Sequence, residues 1–117
     1  MPTFRPFDVV AVPFPYVERE ARKRRPTVVV SDPELTSRHG LVWVVMITSA
    51  ANPSWPEDVA IEDLTMAGLP KPSVVRAAKI ATVEAARCER LGHLAPDAAR
   101  AVAEALRRTL VAAQPAA

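Results

Sequence analysis

Three consecutive cations, Lys23, Arg24 and Arg25, precede Pro26 and a β-branched run that ends at Ser31. The run predicts a buried strand, and the cations stand at its entrance. Pro26 restricts Arg25 to an extended backbone, which the following strand anchors. A guanidinium held in this way is preorganised to bind a phosphate group. The alternative is a solvated basic loop, and the triplet alone gives the two interpretations similar weight.

A second chemical feature is a pair of hydroxyl side chains, Thr48 and Ser49, at the end of a nearly continuous apolar run over residues 41–48. That run predicts a central strand buried on both faces. A rigid strand end can aim a hydroxyl at a ligand. Ordinary turn chemistry is the alternative, and it is favoured for the pair taken alone.

Further candidates for contact with nucleic acid follow along the chain. Trp55 lies in an irregular segment, residues 50–56, where an exposed indole could stack on a base. The commoner role of such a tryptophan is to cap a core or an oligomer interface. A strand predicted over residues 73–80 carries two more cations, Arg76 and Lys79.

The remaining reactive side chains favour structural interpretations. His39 falls in a predicted turn and His93 precedes the last helix, so both are expected at the surface. Cys88 is expected to be a small buried side chain rather than a nucleophile. One cysteine allows no internal disulfide, and the spacing of these three residues does not match a zinc site. We expect no structural metal and no cofactor.

Composition sets broad limits on the function. A chain of 117 residues is expected to form one domain over its whole length, 1–117. The net charge of +2 and the isoelectric point near 9.1 permit binding to nucleic acid without requiring it. No 18-residue apolar run and no signal-peptide pattern occur in the sequence, so we expect a cytosolic protein.

The elements that position these residues are short and are separated by prolines. Residues 31–33 predict a turn, and residues 81–93 give strand and helix signals of similar weight. An amphipathic helix is expected from Pro96 to about Ala112, with an apolar stripe that docks on the sheet and includes Leu110. The other predicted strands cover residues 8–14, 27–30 and 59–63, and a charged loop covers residues 16–25.

The order of these motifs resembles the MazF/PemK family, the toxins of toxin–antitoxin pairs, whose members are small sequence-specific endoribonucleases. No single motif is specific, but their joint occurrence at these spacings is. The matching segments are residues 7–10, 12–15, 23–31, 46–49, 67–75, 79–80 and 91–96.

The resemblance implies an α+β, mainly β fold: an SH3-like small antiparallel barrel with a C-terminal helix packed on the sheet. It also implies a homodimer that binds RNA in a groove at its interface. Arg25 matches the family's catalytic arginine, and Thr48 matches its hydroxyl residue. Two features depart from the family pattern: the loop before Arg25 lacks the glycines common there, and Phe7 stands where a glycine is common.

The implied chemistry needs no protein nucleophile, because the RNA 2′-hydroxyl attacks the adjacent phosphate and leaves 2′,3′-cyclic phosphate and 5′-hydroxyl ends. Arg25 would stabilise the developing negative charge while Thr48 holds a phosphate oxygen. A guanidinium is a poor general base, so Glu18 and Glu20 in the charged loop are the candidates for that role, with plain surface charge as the alternative.

Two other functions remain open on the same fold. One is a toxin that binds and poisons a protein such as DNA gyrase, which would not need Arg25 or Thr48. The other is an RNA-binding module without cleavage, whose affinity would fall with salt. The resemblance also implies a cognate antitoxin, whose acidic or apolar tail would be attracted by the cations at residues 23–25.

Overall fold

The computed structural model describes residues 3–13 and 24–110. The strands in these ranges are β1 (Asp8–Val12), β2 (Arg25–Val29), β3 (Leu41–Ser49), β4 (Val59–Ile61), β5 (Ser73–Glu84) and β6 (Glu89–His93). The α-helices are α1 (Pro33–His39), α2 (Leu64–Ala67) and α3 (Pro96–Thr109).

All six strands belong to one antiparallel sheet in the order β4-β5-β3-β2-β1-β6. The sheet curls into a half-barrel. β3 is central, as predicted, and its ladder with β5 is the longest in the sheet. The mainly β fold with a C-terminal helix is therefore confirmed.

Alternate residues of the strands form two apolar clusters on the two faces of the sheet. One cluster includes Val29 and Val44, and the other includes Val28 and Val45. Helix α3 packs on the second cluster through Val102, which is fully buried. This confirms the predicted docking of the helix.

Two predictions of burial are wrong. Leu110 follows the last residue of α3 and is 45% exposed, so the docked stripe ends before it. Trp43 in β3 is 44% exposed, so this strand is not covered on both faces along its whole length.

The predicted turn at residues 31–33 is instead the start of α1. The Asp32 carboxylate accepts a hydrogen bond from the Glu34 amide at 2.8 Å, and Pro33 occupies the first turn. The helix ends at Gly40, which has a left-handed backbone (φ 69°). His39 therefore closes a helix and does not lie in a turn. An Asp-Pro pair suits a turn as well as a helix start, which is why the sequence pattern was ambiguous.

The ambiguous stretch at residues 81–93 resolves into the end of β5, a 3₁₀ turn at Ala85–Arg87 and strand β6. Helix α2 was not predicted; it is a single turn in which the Asp63 carboxylate accepts a hydrogen bond from the Met66 amide at 3.0 Å.

Phe7 has a left-handed backbone (φ 73°), which is uncommon for a bulky residue. Its amide donates to the Val29 carbonyl, and its carbonyl accepts from the Leu94 amide. The half-buried ring packs against the second apolar cluster. At this position, where the resemblance leads one to expect a glycine, Phe7 adopts the backbone conformation that favours glycine.

Gly92 in β6 allows helix α2 to lie directly against the sheet. A Cβ atom at Gly92 would overlap the carbonyl oxygen of Met66, and the carbonyl group of Ala67 lies almost as close. Since these are backbone atoms, a side chain at residue 92 could be accommodated only if helix α2 moved away from the sheet.

We expect Gly92→Ala to lower the free energy of unfolding by about 3 kcal/mol, at the upper end of overpacking effects. Gly40→Ala is the matched control, because it adds a methyl group at a left-handed position and should cost only about 1 kcal/mol. Urea unfolding measures both changes. Equal losses in the two variants would contradict the close approach at Gly92.

Candidate nucleic-acid interface

Arg25 is the first residue of β2, where its Cα pairs with that of Val12 in β1. The predicted strand began two residues later, so Arg25 is held by the sheet itself and not by the preceding loop. Its side chain is half-buried, and its Nε is the one buried side-chain nitrogen or oxygen in the described ranges without a hydrogen-bond partner. Because an unpaired buried donor is costly, this nitrogen is suited to an anionic ligand.

The register between β2 and β3 sets Thr48 opposite this arginine. Thr27 pairs with Met46 and Val29 pairs with Val44. Continuing the same register by two residues brings Arg25 opposite Thr48, with both side chains on the face of Val29 and Val44. The sheet thus directs a guanidinium and a hydroxyl to the same region.

Asn52 completes this strand end, and the sequence analysis did not single it out. Its side-chain amide donates to the Thr48 hydroxyl oxygen at 2.7 Å. A hydroxyl that accepts one hydrogen bond retains its own hydrogen for donation to a phosphate oxygen. The only signal in the sequence is an amide four residues after the threonine, which is too common to be diagnostic.

Ser49 lies on the opposite side of the strand from Thr48 by alternation. Its hydroxyl oxygen accepts from the Ala51 amide at 3.1 Å, which is the turn chemistry considered as the alternative for this residue.

A cluster of cations surrounds Trp55. The Arg76 guanidinium lies 4.3 Å from the centroid of the indole ring, and the Lys79 ammonium lies 5.3 Å from it. Trp55 is 41% exposed, as the irregular segment suggested. Since Arg76 pairs with Met46, its side chain shares the sheet face of Thr48. The structure therefore brings four of the predicted residues, Arg25, Thr48, Arg76 and Trp55, to one end of this face.

Arg76 is 6% exposed and forms a buried ion pair with Asp58. Its Nε donates to one Asp58 carboxylate oxygen at 3.2 Å and its Nη2 to the other at 2.9 Å. The hydrogen bonds from Arg76 lower the pKa of Asp58 against the opposing effect of burial, and the Trp55 amide adds to the shift.

Arg24 turns away from Arg25. Its Nη2 donates to the Ala11 carbonyl at 3.0 Å and to the Arg87 carbonyl. The structure therefore gives this guanidinium partners within the chain, which also include the Glu89 carboxylate at 3.9 Å.

Three predicted site residues, Lys23, Glu18 and Glu20, lie outside the described residues. The histidines do not join the cluster. His39 ends α1, and His93 pairs with Asp8 at the far end of β1, about 13 Å along the strand from the partner of Arg25.

The described ranges contain neither a metal-binding cluster nor a membrane-spanning helix. No group of three or more His, Cys, Asp or Glu side chains among residues 3–13 and 24–110 is placed to hold a metal ion. In that same part of the chain, no helix has the length and apolar character needed to cross a membrane.

The Asp58–Arg76 pair predicts a pH dependence of stability. The unfolded carboxyl titrates near pH 4, and its folded pKa lies lower, so the pair stabilises the fold above pH 4 and loses this contribution as the pH falls further. We expect Asp58→Asn to be less stable at pH 7 and to show a weaker fall in unfolding free energy below pH 4. Urea unfolding across this pH range measures the effect.

The control for this experiment is Asp97→Asn, because the Asp97 side chain is 94% exposed and its ion pair with Arg100 lies on the surface of α3. It should keep the wild-type pH dependence. An Asp58→Asn curve parallel to that of the wild type would contradict the assignment of the titration to Asp58.

Cys88 is predicted to be a poor nucleophile. Burial raises the pKa of its thiol to about 11, although the Arg24 charge opposes the shift. Since alkylation requires the thiolate, we expect iodoacetamide at pH 7.5 to react roughly 100-fold more slowly with the native protein than with the unfolded chain. Mass spectrometry of timed samples measures both rates, and equal rates would show that the thiol is neither buried nor shifted.

Comparisons with known proteins agree with this fold. The sequence model of the PemK-like, MazF-like toxins of type II toxin–antitoxin systems matches residues 5–110. Comparison with curated proteins gave no match.

Several solved structures are similar across nearly the whole chain. MazF from Deinococcus radiodurans is 23% identical over 95% of this chain and 99% of its own, with a TM-score of 0.75. A MazE-MazF structure from the same organism is 22% identical, covering 94% of this chain and 97% of that one, with a TM-score of 0.74. An endoribonuclease from a mycobacterial species, in complex with its cognate antitoxin, is 20% identical over 95% and 96%, with a TM-score of 0.72.

The structural likeness shows the same half-barrel fold, and the sequence match spans the strands, the helices and the Arg25–Thr48 end of the sheet. This chain belongs to the PemK-like, MazF-like toxin family of type II toxin–antitoxin systems.

Proposed function

We propose that this toxin is a sequence-specific endoribonuclease that cleaves single-stranded RNA without a metal ion. The observation that carries the proposal is the Arg25 guanidinium, whose buried Nε has no partner among the described residues. Continuing the β2–β3 register two residues beyond the Thr27–Met46 pair brings Thr48 opposite it. Membership of the toxin family supports it, as does the similar fold of a mycobacterial endoribonuclease.

The reaction is an intramolecular transesterification at one phosphodiester bond of the RNA. The 2′-oxygen forms a bond to the adjacent phosphorus, and the bond from phosphorus to the 5′-oxygen of the next nucleotide breaks. A base takes the proton of the 2′-hydroxyl, and the leaving 5′-oxygen receives a proton. The products are a 2′,3′-cyclic phosphate and a 5′-hydroxyl, so no water and no redox partner are consumed.

Arg25 binds the non-bridging oxygens, on which negative charge increases in the transition state, and can donate a proton toward the 5′-oxygen. Thr48 donates its hydroxyl hydrogen to one phosphate oxygen while Asn52 holds the hydroxyl in place. Both groups are fixed on a rigid sheet before substrate binds, which is the arrangement that electrostatic catalysis requires. Glu18 and Glu20 remain the candidates for the general base.

The proposed assembly is a cytoplasmic homodimer that binds RNA between its protomers and is inhibited by a cognate antitoxin. Similar structures contain MazE bound to MazF and an endoribonuclease bound to its antitoxin. An acidic antitoxin segment would be attracted to the cations near Arg25 and would compete with the RNA phosphates.

We expect Arg25→Ala to lower the cleavage rate by about 10²- to 10⁴-fold, because it removes the main stabiliser of transition-state charge. Thr48→Ala should lower it by about 10- to 100-fold, the effect of one hydrogen bond to a charged group. The measurement is cleavage of a long single-stranded RNA in EDTA, with mapping of the sites and the end groups.

Arg38→Ala is the control, because this exposed arginine of α1 forms a surface ion pair with Glu34 at 3.6 Å and its loss should leave cleavage unchanged. Wild-type rates in Arg25→Ala would refute the catalytic assignment. Intact RNA with folded wild-type protein would refute the nuclease. A salt-dependent RNA affinity would then favour a binding module, and its absence would favour a toxin that poisons a protein.

A further inference from the structure

The segment between β3 and β4, residues 50–58, is fastened to β5 by one buried side chain. Besides its two hydrogen bonds to Asp58, the Arg76 guanidinium donates to the Pro53 carbonyl at 2.8 Å. One guanidinium therefore joins two separate points of this loop. Arg76 is 6% exposed, and three of the five N–H donors of its guanidinium bind this loop.

Trp55 lies between these two anchoring points and is fixed by the same groups. Its amide donates to an Asp58 carboxylate oxygen at 2.9 Å, and the Asp58 amide donates to the Trp55 carbonyl at 3.2 Å. The guanidinium of Arg76 lies over the indole. Trp55 is thus held through its backbone by Asp58 and at its ring by the Arg76 guanidinium, while 41% of the residue stays exposed.

The same loop is tied to the proposed catalytic strand at its other end. Asn52 contacts the Thr48 hydroxyl, and Arg76 pairs across the sheet with Met46, two residues before Thr48. On the outer side, the Glu57 carboxylate accepts hydrogen bonds from Arg108 at the end of α3. The exposed indole therefore has a defined position relative to the Thr48 end of β3.

We propose that Arg76 is a positioning residue that holds Trp55 as a stacking surface for one nucleobase beside the cleaved bond, and so sets which base is accepted there. The inference rests on the proposed ribonuclease activity and deepens it. A base stacked on a fixed indole is constrained in position and orientation, so neighbouring groups can discriminate its edge. Lys79, half-buried beside the ring, is placed to contact the phosphate of the same nucleotide.

The test compares base preference with catalytic rate. The cleavage site is first mapped on a long RNA, and short RNAs carrying each of the four bases at each flanking position are then cleaved by wild type, Trp55→Ala, Trp55→Phe and Arg76→Lys. Arg76→Lys keeps the charge but cannot bind both Asp58 oxygens and the Pro53 carbonyl in the same geometry.

Arg90→Lys is the matched control, because Arg90 also pairs at 2.9 Å with a buried carboxylate, that of Asp8, but on the β1–β6 side of the sheet. Thermal unfolding of every variant separates loss of preference from loss of fold. Asp58→Asn, which retains a neutral acceptor for Arg76, serves as the second disruption of the anchor if Arg76→Lys does not fold.

We expect Trp55→Ala to lose about 10- to 100-fold in kcat/KM for the preferred base at one position, the range for loss of a stacked base. In Arg76→Lys and in Asp58→Asn, which both retain Trp55, the kcat/KM values for the four bases at that position should become similar. Trp55→Phe and Arg90→Lys should retain the wild-type preference. Arg90→Lys should keep the wild-type kcat, and in Arg76→Lys and Asp58→Asn the loss should fall on KM rather than on kcat, in contrast to Arg25→Ala.

Two results would overturn the inference while leaving the nuclease intact: unchanged preference at every position in Trp55→Ala, or unchanged preference in both Arg76→Lys and Asp58→Asn. If Arg76→Lys lowered kcat alone, as expected for Arg25→Ala, Arg76 would take part in the chemical step, and this result would also overturn the inference. Wild-type protein that cleaves no RNA would overturn the proposed function and this inference together.

Discussion

The register between β2 and β3 is the constraint on which the proposed chemistry depends. A slip of one residue would turn Arg25 to the opposite face from Thr48, because side chains alternate along a strand. The register is specified by burial on both faces: Val28 and Val45 enter one apolar cluster, and Val29 and Val44 enter the other. A slip would exchange every valine between the clusters. The packing of the sheet therefore fixes the geometry of two polar residues at its end.

The rest of the interface is supported in a different way. The loop at residues 50–58 lies outside the strand ladders and is held chiefly by Arg76 in β5, with a further contact from Arg108 in α3. The Arg76 pair is buried, whereas Arg108 is exposed to solvent and contributes little. The proposed catalytic groups are thus held by the backbone hydrogen bonds of the sheet, whereas the surface proposed to contact an RNA base is held mainly by a buried ion pair.

The parts of this arrangement that follow from local patterns were predictable. The apolar run of β3 and the Arg-Pro entrance to β2 place Arg25 and Thr48 at strand ends without knowledge of the fold. The engagement of Arg24 with Ala11 and Arg87, and the pairing of Arg76 with Asp58, join residues far apart in the chain, so no local signal marks them. Helix α1 was missed because an Asp-Pro start satisfies a turn equally well, and only its packing against β3 decides between them.

Phe7 combines a strained backbone with a well-packed side chain. Its left-handed backbone costs of the order of 1–2 kcal/mol for a side chain with a Cβ atom. A change to glycine would relieve this strain, but it would also remove an aromatic ring that packs on the apolar cluster and would add freedom to the unfolded chain. Backbone strain and side-chain packing are therefore coupled at this position, and neither can be changed there without the other.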